Sequence, residues 1–211
     1  MREMQSLIQV RDGFLSARVL DPKNKAEIDA ALAFRHTVFL EELGWSVLDH
    51  KGQESDQYDQ NSVHFGAFSE SGEITGYCRL ILPKSGFMIE KEFADLIDPG
   101  YCIRKENDTV EASRFAVARN LRGKGEGFRV IALLVRSLYQ WAKLNKVRYI
   151  YAVSVSDYLG FLCGYFTCIK PIGPNHEYQA GISSSAVILD LEQLDLEKVK
   201  EFWAMLTNKP K

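Results

Sequence analysis

The sequence predicts a mixed α/β (α+β) fold in one domain spanning residues 1–211, with a central twisted sheet of mixed direction flanked by helices. Three observations carry that expectation. Apolar residues recur every second position in some segments and at near-helical spacing in others, and the two patterns alternate along the chain. Between residues 110 and 155 a strand, a glycine-rich turn, a long helix and another strand follow in order. At 211 residues and 46% hydrophobic, the chain is long enough for one well-buried core, and no repeat, low-complexity run or linker divides it. Two small domains are possible on length but not required.

Residues 14–21 (FLSARVLD) alternate as a strand does, and Asp-Pro with the following Asn-Lys breaks it. Residues 26–43 are amphipathic, with Ile28, Leu32, Phe34, Val38, Phe39 and Leu43 at helical spacing. Two apolar runs between residues 63 and 83, joined by Ser-Glu-Ser-Gly, read as a hairpin. Residues 86–97 (GFMIEKEFADLI) read as a short helix ended by Asp-Pro-Gly. A strand over 110–117 precedes the strongest helix, 128–144. A strand at 148–155, a short helix near 157–163, strands around 166–171 and 186–191, and a helix over 192–206 complete the order.

Composition excludes several classes. No apolar run reaches the roughly 18 residues that span a bilayer, and the opening residues MREMQSLIQVRDG lack the apolar core of a signal peptide, so a cytoplasmic location is expected. Cys78, Cys102, Cys163 and Cys168 have no C-x-x-C spacing and no paired histidine nearby, so reduced thiols are expected and no metal. His36, His50, His64 and His176 are scattered, and nothing marks any as a ligand. Net charge is -2, but residues 112–148 carry nine basic residues against Glu126 alone. A basic segment in an otherwise acidic chain points to a local anionic partner, or more plainly to a solvated helix face. Nucleic acid is a poor partner, since the rest of the surface repels it.

The densest cluster of chemistry-bearing side chains runs from Arg35 to Asp59. Arg35 and Phe39, four apart, share a helix face. Gly44-Trp45 and Lys51-Gly52 then end the helix and open a loop carrying Asp56 and Asp59. An aromatic, a guanidinium and two acids so placed suit a small ligand that is both cationic and apolar. In the competing reading Arg35, Asp56, Asp59 and Arg79 form a buried charge network that fixes the loop, and the two readings are compatible. The stretch Arg122-Gly-Lys-Gly-Glu-Gly127 is a second candidate. Its glycines allow backbone N–H groups to converge on phosphates at a helix N-terminus.

That loop, with Arg122, Gly123, Lys124, Gly125 and Gly127, resembles the pyrophosphate loop of the Gcn5-related N-acetyltransferase fold. The resemblance implies a three-layer, acyl-CoA N-acyltransferase-like domain. The motif R-x-x-V-F-x-x-x-L-G-W (35–45), followed by G-x-E-x-D-x-x-D (52–59), resembles the N-terminal signature of the autoinducer synthases that make N-acyl-homoserine lactones. The match continues through Cys78-Arg79-Leu80, Phe87-Met88-Ile89, Phe93 and Glu111-x-Ser113-Arg114-Phe115-x-Val117. Eight positions stand at family spacing: Arg35, Phe39, Trp45, Asp56, Asp59, Arg79, Glu111 and Arg114. Val110 departs from the family, which often has an aromatic there.

The resemblance implies an acyltransferase that joins an acyl thioester to the amine of S-adenosylmethionine and closes a lactone with release of methylthioadenosine, for quorum sensing. S-adenosylmethionine and the thioester are substrates, and no cofactor is implied. Glu111 is the candidate base, with a salt bridge to Arg114 or Arg79 as the structural alternative; on a regular strand Arg114 points away from Glu111, and a bulge would change that. Arg35 and Arg114 would hold the substrate carboxylate or the acids, and Trp45, Phe39 and Phe115 would offer apolar and π surface. Asp56 and Asp59 would orient Arg35 and the substrate ammonium, with Arg79 among them. Arg119, Arg122, Lys124, Lys143 and Lys146 suit an acyl carrier protein and the glycine loop suits CoA, with the carrier protein ranked first as the commoner donor in the family. Leu133, Tyr151, Ala152, Val153, Leu159 and Leu162 are candidates for an acyl pocket, and Ala152, a threonine in relatives that use 3-oxo chains, points to an unsubstituted chain. The alternatives are an N-acyl amino acid synthase or other N-acyltransferase of the same fold, and a non-enzymatic binder of acyl carrier or acyl ligand.

Overall fold

Asn24 opens the first helix because its side-chain oxygen accepts the Glu27 N–H, one of the donors a helix start leaves unpaired. The computed structural model describes residues 8–45, 51–123 and 125–207. Its strands are β1 (Gln9–Asp12), β2 (Leu15–Val19), β3 (Ser62–Phe68), β4 (Ile74–Ile81), β5 (Thr109–Val117), β6 (Tyr149–Val155), β7 (Ile169–Pro171), β8 (His176–Gln179) and β9 (Ile182–Asp190). The helices are α1 (Lys25–Arg35), α2 (Gly125–Leu144), α3 (Ser156–Tyr165) and α4 (Leu196–Thr207). The strands run β1-β2-β3-β4-β5-β6-β9-β7, with β8 on β9. β5 and β6 pair in parallel, while β1 with β2, β2 with β3 and β6 with β9 are antiparallel, so the sheet is mixed as expected.

Contacts divide the chain into two units. One holds the residues up to Arg79, 114–142 and 202 onward; the other holds 80–113 and 143–201. In the first unit, α2 presents Val130, Leu134, Leu138 and Trp141 at spacings of three and four. Gly76 of β4 lets that face come close, since a Cβ there would lie 2.5 Å from Val130 Cγ1 and 3.2 Å from the Ala116 carbonyl oxygen. Trp141 meets Phe65 edge-on at 6.3 Å, and Leu20, Ala31, Phe68 and Tyr77 form a neighbouring core cluster.

The helix expected over 26–43 changes form midway. After α1, residues His36–Glu42 make a π-helical turn in which the Leu43 N–H donates to the Val38 carbonyl, and Gly44 ends it at φ +65°. The wider turn buries both Val38 and Phe39. In the second unit, Tyr149 to Ala152 pair with Thr109 to Ala112, and the parallel ladder ends there. Phe87, Ile89, Leu96, Tyr151 and Leu159 are buried in this unit.

Four expectations need correction. Residues 86–97 form no α-helix but two 3-10 turns, Met88–Glu90 and Ala94–Leu96. The Met88 and Ile89 N–H groups, which the start of the first turn leaves without a helical acceptor, donate to the Glu111 carboxylate. The long helix starts at Gly125 rather than Phe128, so Gly125 and Gly127 lie in its first turn and not in the loop. Strand β1 was not anticipated, because its four residues bury Val10 alone and show no alternation. Strand β8 was also missed.

Candidate active site

Six charged side chains of the first unit converge: Arg35 from the end of α1, Glu54, Asp56 and Asp59 from the following loop, Arg79 from β4 and Arg114 from β5. Arg35 donates through Nε to Glu54 at 2.5 Å and through one terminal nitrogen to Asp59 at 2.6 Å. Arg79 grips Asp56 with two nitrogens, both at 2.6 Å, and reaches Asp59 at 2.5 Å. Arg114 donates to Glu54 at 3.0 Å and to Asp56 at 3.1 Å. Three guanidiniums thus face three carboxylates. The loop locks itself as well, since Asp59 accepts the Asp56 N–H and Asp56 accepts the Tyr58 N–H.

Burial sorts these groups. The Arg35, Arg79 and Glu54 side chains are 0% exposed, Arg114 is 7% exposed, and Asp56 and Asp59 are each 15% exposed. A ligand therefore meets the network through Asp56, Asp59 and Arg114, while Arg35 and Arg79 lie behind them. Burial pushes the Asp59 carboxyl up, but the Arg35 and Arg79 guanidiniums prevail and bring it down to about 2. Burial disfavours the Arg35 charge, yet Tyr77, Asp59 and Glu54 around it raise its pKa above the usual arginine value.

Arg114 sits at φ +54°, a left-handed conformation that costs a non-glycine residue about 1–3 kcal/mol. The bend departs from the regular strand on which Arg114 was expected to point away from Glu111, and the guanidinium reaches Glu54 and Asp56. Arg114 also lies 5.5 Å from the Phe39 ring centroid, and Phe39 stacks on Trp45 at 5.0 Å. Phe39 is buried and Trp45 is 42% exposed, so the stack has one wet face. Glu54 was not singled out from sequence. Its signal was present in the G-x-E-x-D-x-x-D spacing, but nothing local shows that one carboxylate serves two arginines.

Glu111 belongs to the second unit and is 1% exposed. Its carboxylate accepts the Met88 N–H at 2.6 Å and the Ile89 N–H at 3.1 Å. In the glycine loop, Gly123 takes φ +70°, and Gly127 packs so closely that a Cβ would lie 2.4 Å from the Leu121 carbonyl oxygen. Arg122 is tied inward, donating to the Val117 carbonyl at 2.7 Å and pairing with Glu42 at 2.8 Å. Arg119 is exposed and, with Phe34, Val38 and Ile74, lines an open depression of about 450 Å³. Lys124 and His50 lie outside the described residues.

Of the acyl-pocket candidates, Leu133 belongs to the first unit and the others to the second. Leu133, Tyr151 and Leu159 are buried, Ala152, Val153 and Leu162 are half-buried, and Phe115 is exposed. The Tyr151 hydroxyl accepts the Arg104 N–H at 3.1 Å and lies 3.2 Å from the Tyr101 hydroxyl. The Ala118 N–H donates to the Thr75 carbonyl at 2.9 Å. Among the described residues no helix is long and apolar enough to cross a membrane.

The fold is that of the N-acyltransferase class. It is similar to the AHL synthase LasI (TM-score 0.72, 18% identical, over 87% of this chain and 90% of that one). It also resembles BjaI, a CoA-dependent acyl-homoserine lactone synthase solved with MTA (TM-score 0.70, 19% identical, 89% and 85%), and more distantly Escherichia coli ElaA (TM-score 0.53, 15% identical, 83% and 99%). At those identities the likeness is one of fold. The sequence is more specific: the autoinducer synthase family model matches residues 20–162, and the chain belongs to that family. The acyl-homoserine-lactone synthase of Aeromonas hydrophila is 29% identical over 122 residues, 57% of this chain and 58% of the relative. That of Ralstonia solanacearum is 39% identical over 92 residues, 42% and 45%. The chain thus spans about half the length of these curated relatives.

Proposed function

We propose that the protein is an acyl-homoserine-lactone synthase of the cytoplasm, acting as one domain on S-adenosylmethionine and an acyl thioester. The observation that carries this reading is the charge-balanced network ending at Asp56, Asp59 and Arg114, beside the half-exposed Trp45 on Phe39. S-adenosylmethionine offers an ammonium for the acids, a carboxylate for Arg114, and a sulfonium with an adenosine for the aromatic face. Cation–π attraction there is worth about 0.5–2 kcal/mol. Arg35 and Arg79 serve by holding Asp56 and Asp59 in place.

The amine attacks the thioester carbonyl, its proton passes to a base, and the thiol leaves. The substrate carboxylate then attacks the carbon beside the sulfonium, breaking that C–S bond and releasing methylthioadenosine. An α-amine with pKa about 7.7–8.0 is mostly protonated at neutral pH, so a base contributes a typical factor of about 10² to 10⁴. Glu111 is our candidate, acting directly or through a water, with the Met88 and Ile89 N–H groups fixing its orientation. BjaI has been solved with SAM and isopentyl-CoA, which supports a CoA donor, but we rank an acyl carrier protein narrowly first, as the commoner donor in the family this chain resembles.

The test is purified protein with S-adenosylmethionine and acyl-CoA or acyl-carrier donors of several chain lengths, read by mass spectrometry. Lactone and methylthioadenosine should appear together, and Glu111→Gln should bind S-adenosylmethionine yet form neither. Linear product without methylthioadenosine would reassign the chain to N-acyl amino acid synthesis. Full turnover by Glu111→Gln would place the base elsewhere.

A further inference from the structure

Behind the network lies a histidine that the proposed chemistry does not use. His64 of β3 is half-buried, and both its ring nitrogens are engaged: Nδ1 lies 2.6 Å from the Tyr77 hydroxyl and Nε2 lies 3.2 Å from the Asp59 carbonyl oxygen. A carbonyl only accepts, so Nε2 must carry the proton and Nδ1 must accept from Tyr77. The Tyr77 oxygen is then free to receive Arg35, whose terminal nitrogen is 3.4 Å away. One neutral tautomer satisfies the whole relay, Arg35 to Tyr77 to His64 to Asp59.

We propose that His64 is a positioning residue, whose neutral Nε2–H form holds Asp59 and Arg35 in the geometry that binds S-adenosylmethionine. The inference rests on the functional reading above. Protonating His64 would turn Nδ1 into a donor, so Tyr77 would have to accept from both His64 and Arg35 and its own O–H would lose its acceptor. It would also add a fourth cation to a cluster of three cations and three anions. The groups facing the ring are Asp59 from the loop, Arg35 from α1, and Tyr77 and Arg79 from β4. Burial holds the imidazole below its ordinary pKa, and Arg35 and Arg79 act in the same direction against the opposing pull of Asp59.

The experiment combines two readouts on the intact chain. Long-range 1H–15N spectra of 15N-histidine-labelled protein, with the His64 signals assigned by their loss in His64→Gln, report the tautomer. Calorimetry reports S-adenosylmethionine affinity between about pH 8 and pH 5.5, the range in which histidine titrates. The Gln side chain can donate to the Asp59 carbonyl and accept from Tyr77 but does not titrate. Its ratio to wild type therefore cancels the ionisation of the substrate itself. The expected result is an Nε2–H tautomer and a loss of affinity at the acid end that is greater in wild type than in His64→Gln, by a factor between about two and ten at about pH 5.5, the upper bound being that of an imidazole with its ordinary pKa. His64→Leu, which lacks both contacts, should bind weakly across the whole range. An Nδ1–H tautomer, or the same acid loss in wild type and His64→Gln, would overturn the proposal. Failure of wild type to bind S-adenosylmethionine at any pH would overturn the functional reading and this role with it, while the spectra would still report whether the relay exists.

Discussion

At the scale of single residues, the spacing of charged groups in the sequence does not by itself fix their roles. Arg35, Asp56 and Asp59 were legible as a cluster, yet they read equally as ligand groups or as a buried network. Burial separates them, because Arg35 has no exposed surface and Asp59 retains 15%. Glu54 escaped notice because its second partner, Arg114, is 60 residues away in the sequence. Removing its charge should be costly: Glu54→Gln strips two buried guanidiniums of a counter-charge and should lose about 3–5 kcal/mol in urea unfolding. A change below about 1 kcal/mol, the level of an exposed pair, would contradict this burial. Asp59 makes a separate prediction. Its folded pKa of about 2 lies below the unfolded value of 3.8, so its stabilisation is complete above about pH 4 and is lost as pH falls through 2. The shift corresponds to about 2 kcal/mol. Asp59→Asn should flatten the acid limb of the stability curve, and an unchanged limb would show that Asp59 is not held as described.

At the scale of elements, strands and long helices were readable because their periodicity reflects what they bury. The hairpin β3–β4, the strand β5 and the helix α2 all follow from apolar spacing and turn residues. The failures lie where helical turns stay short or where the helix changes pitch. Residues 86–97 have the spacing of a helix but form two separate 3-10 turns, the first with its opening N–H groups held by the Glu111 carboxylate. The π-helical turn at 36–42 leaves no mark in a pattern that helical spacing fits almost as well. The bend at Arg114 is invisible too, since arginine is an unusual choice for a left-handed position. Packing of α2 on β4 gives the test at this scale. Gly76→Ala would place a methyl 2.5 Å from Val130 Cγ1, and such overpacking should cost about 1–3 kcal/mol by thermal or chemical unfolding. Val130→Ala in the same chain should recover part of that loss if contact with this helix is the cause.

For the whole molecule, family membership and fold follow from sequence, while the proposed binding of S-adenosylmethionine rests on what the first unit can hold. Three arginines and three acids cancel, so the network presents little net charge. Its donors and acceptors suit the proposed ligand, a zwitterion with an added cation. Trp45 is the group in that setting with the most exposed surface and the least share in the buried network. Calorimetric titration of S-adenosylmethionine into wild type and Trp45→Ala is therefore the most direct test. Wild type should bind. Trp45→Ala should bind about tenfold or more weakly, as loss of a 1.4 kcal/mol contact requires, with an unchanged melting temperature in the absence of ligand. No binding by wild type, or equal binding by both proteins, would contradict the account.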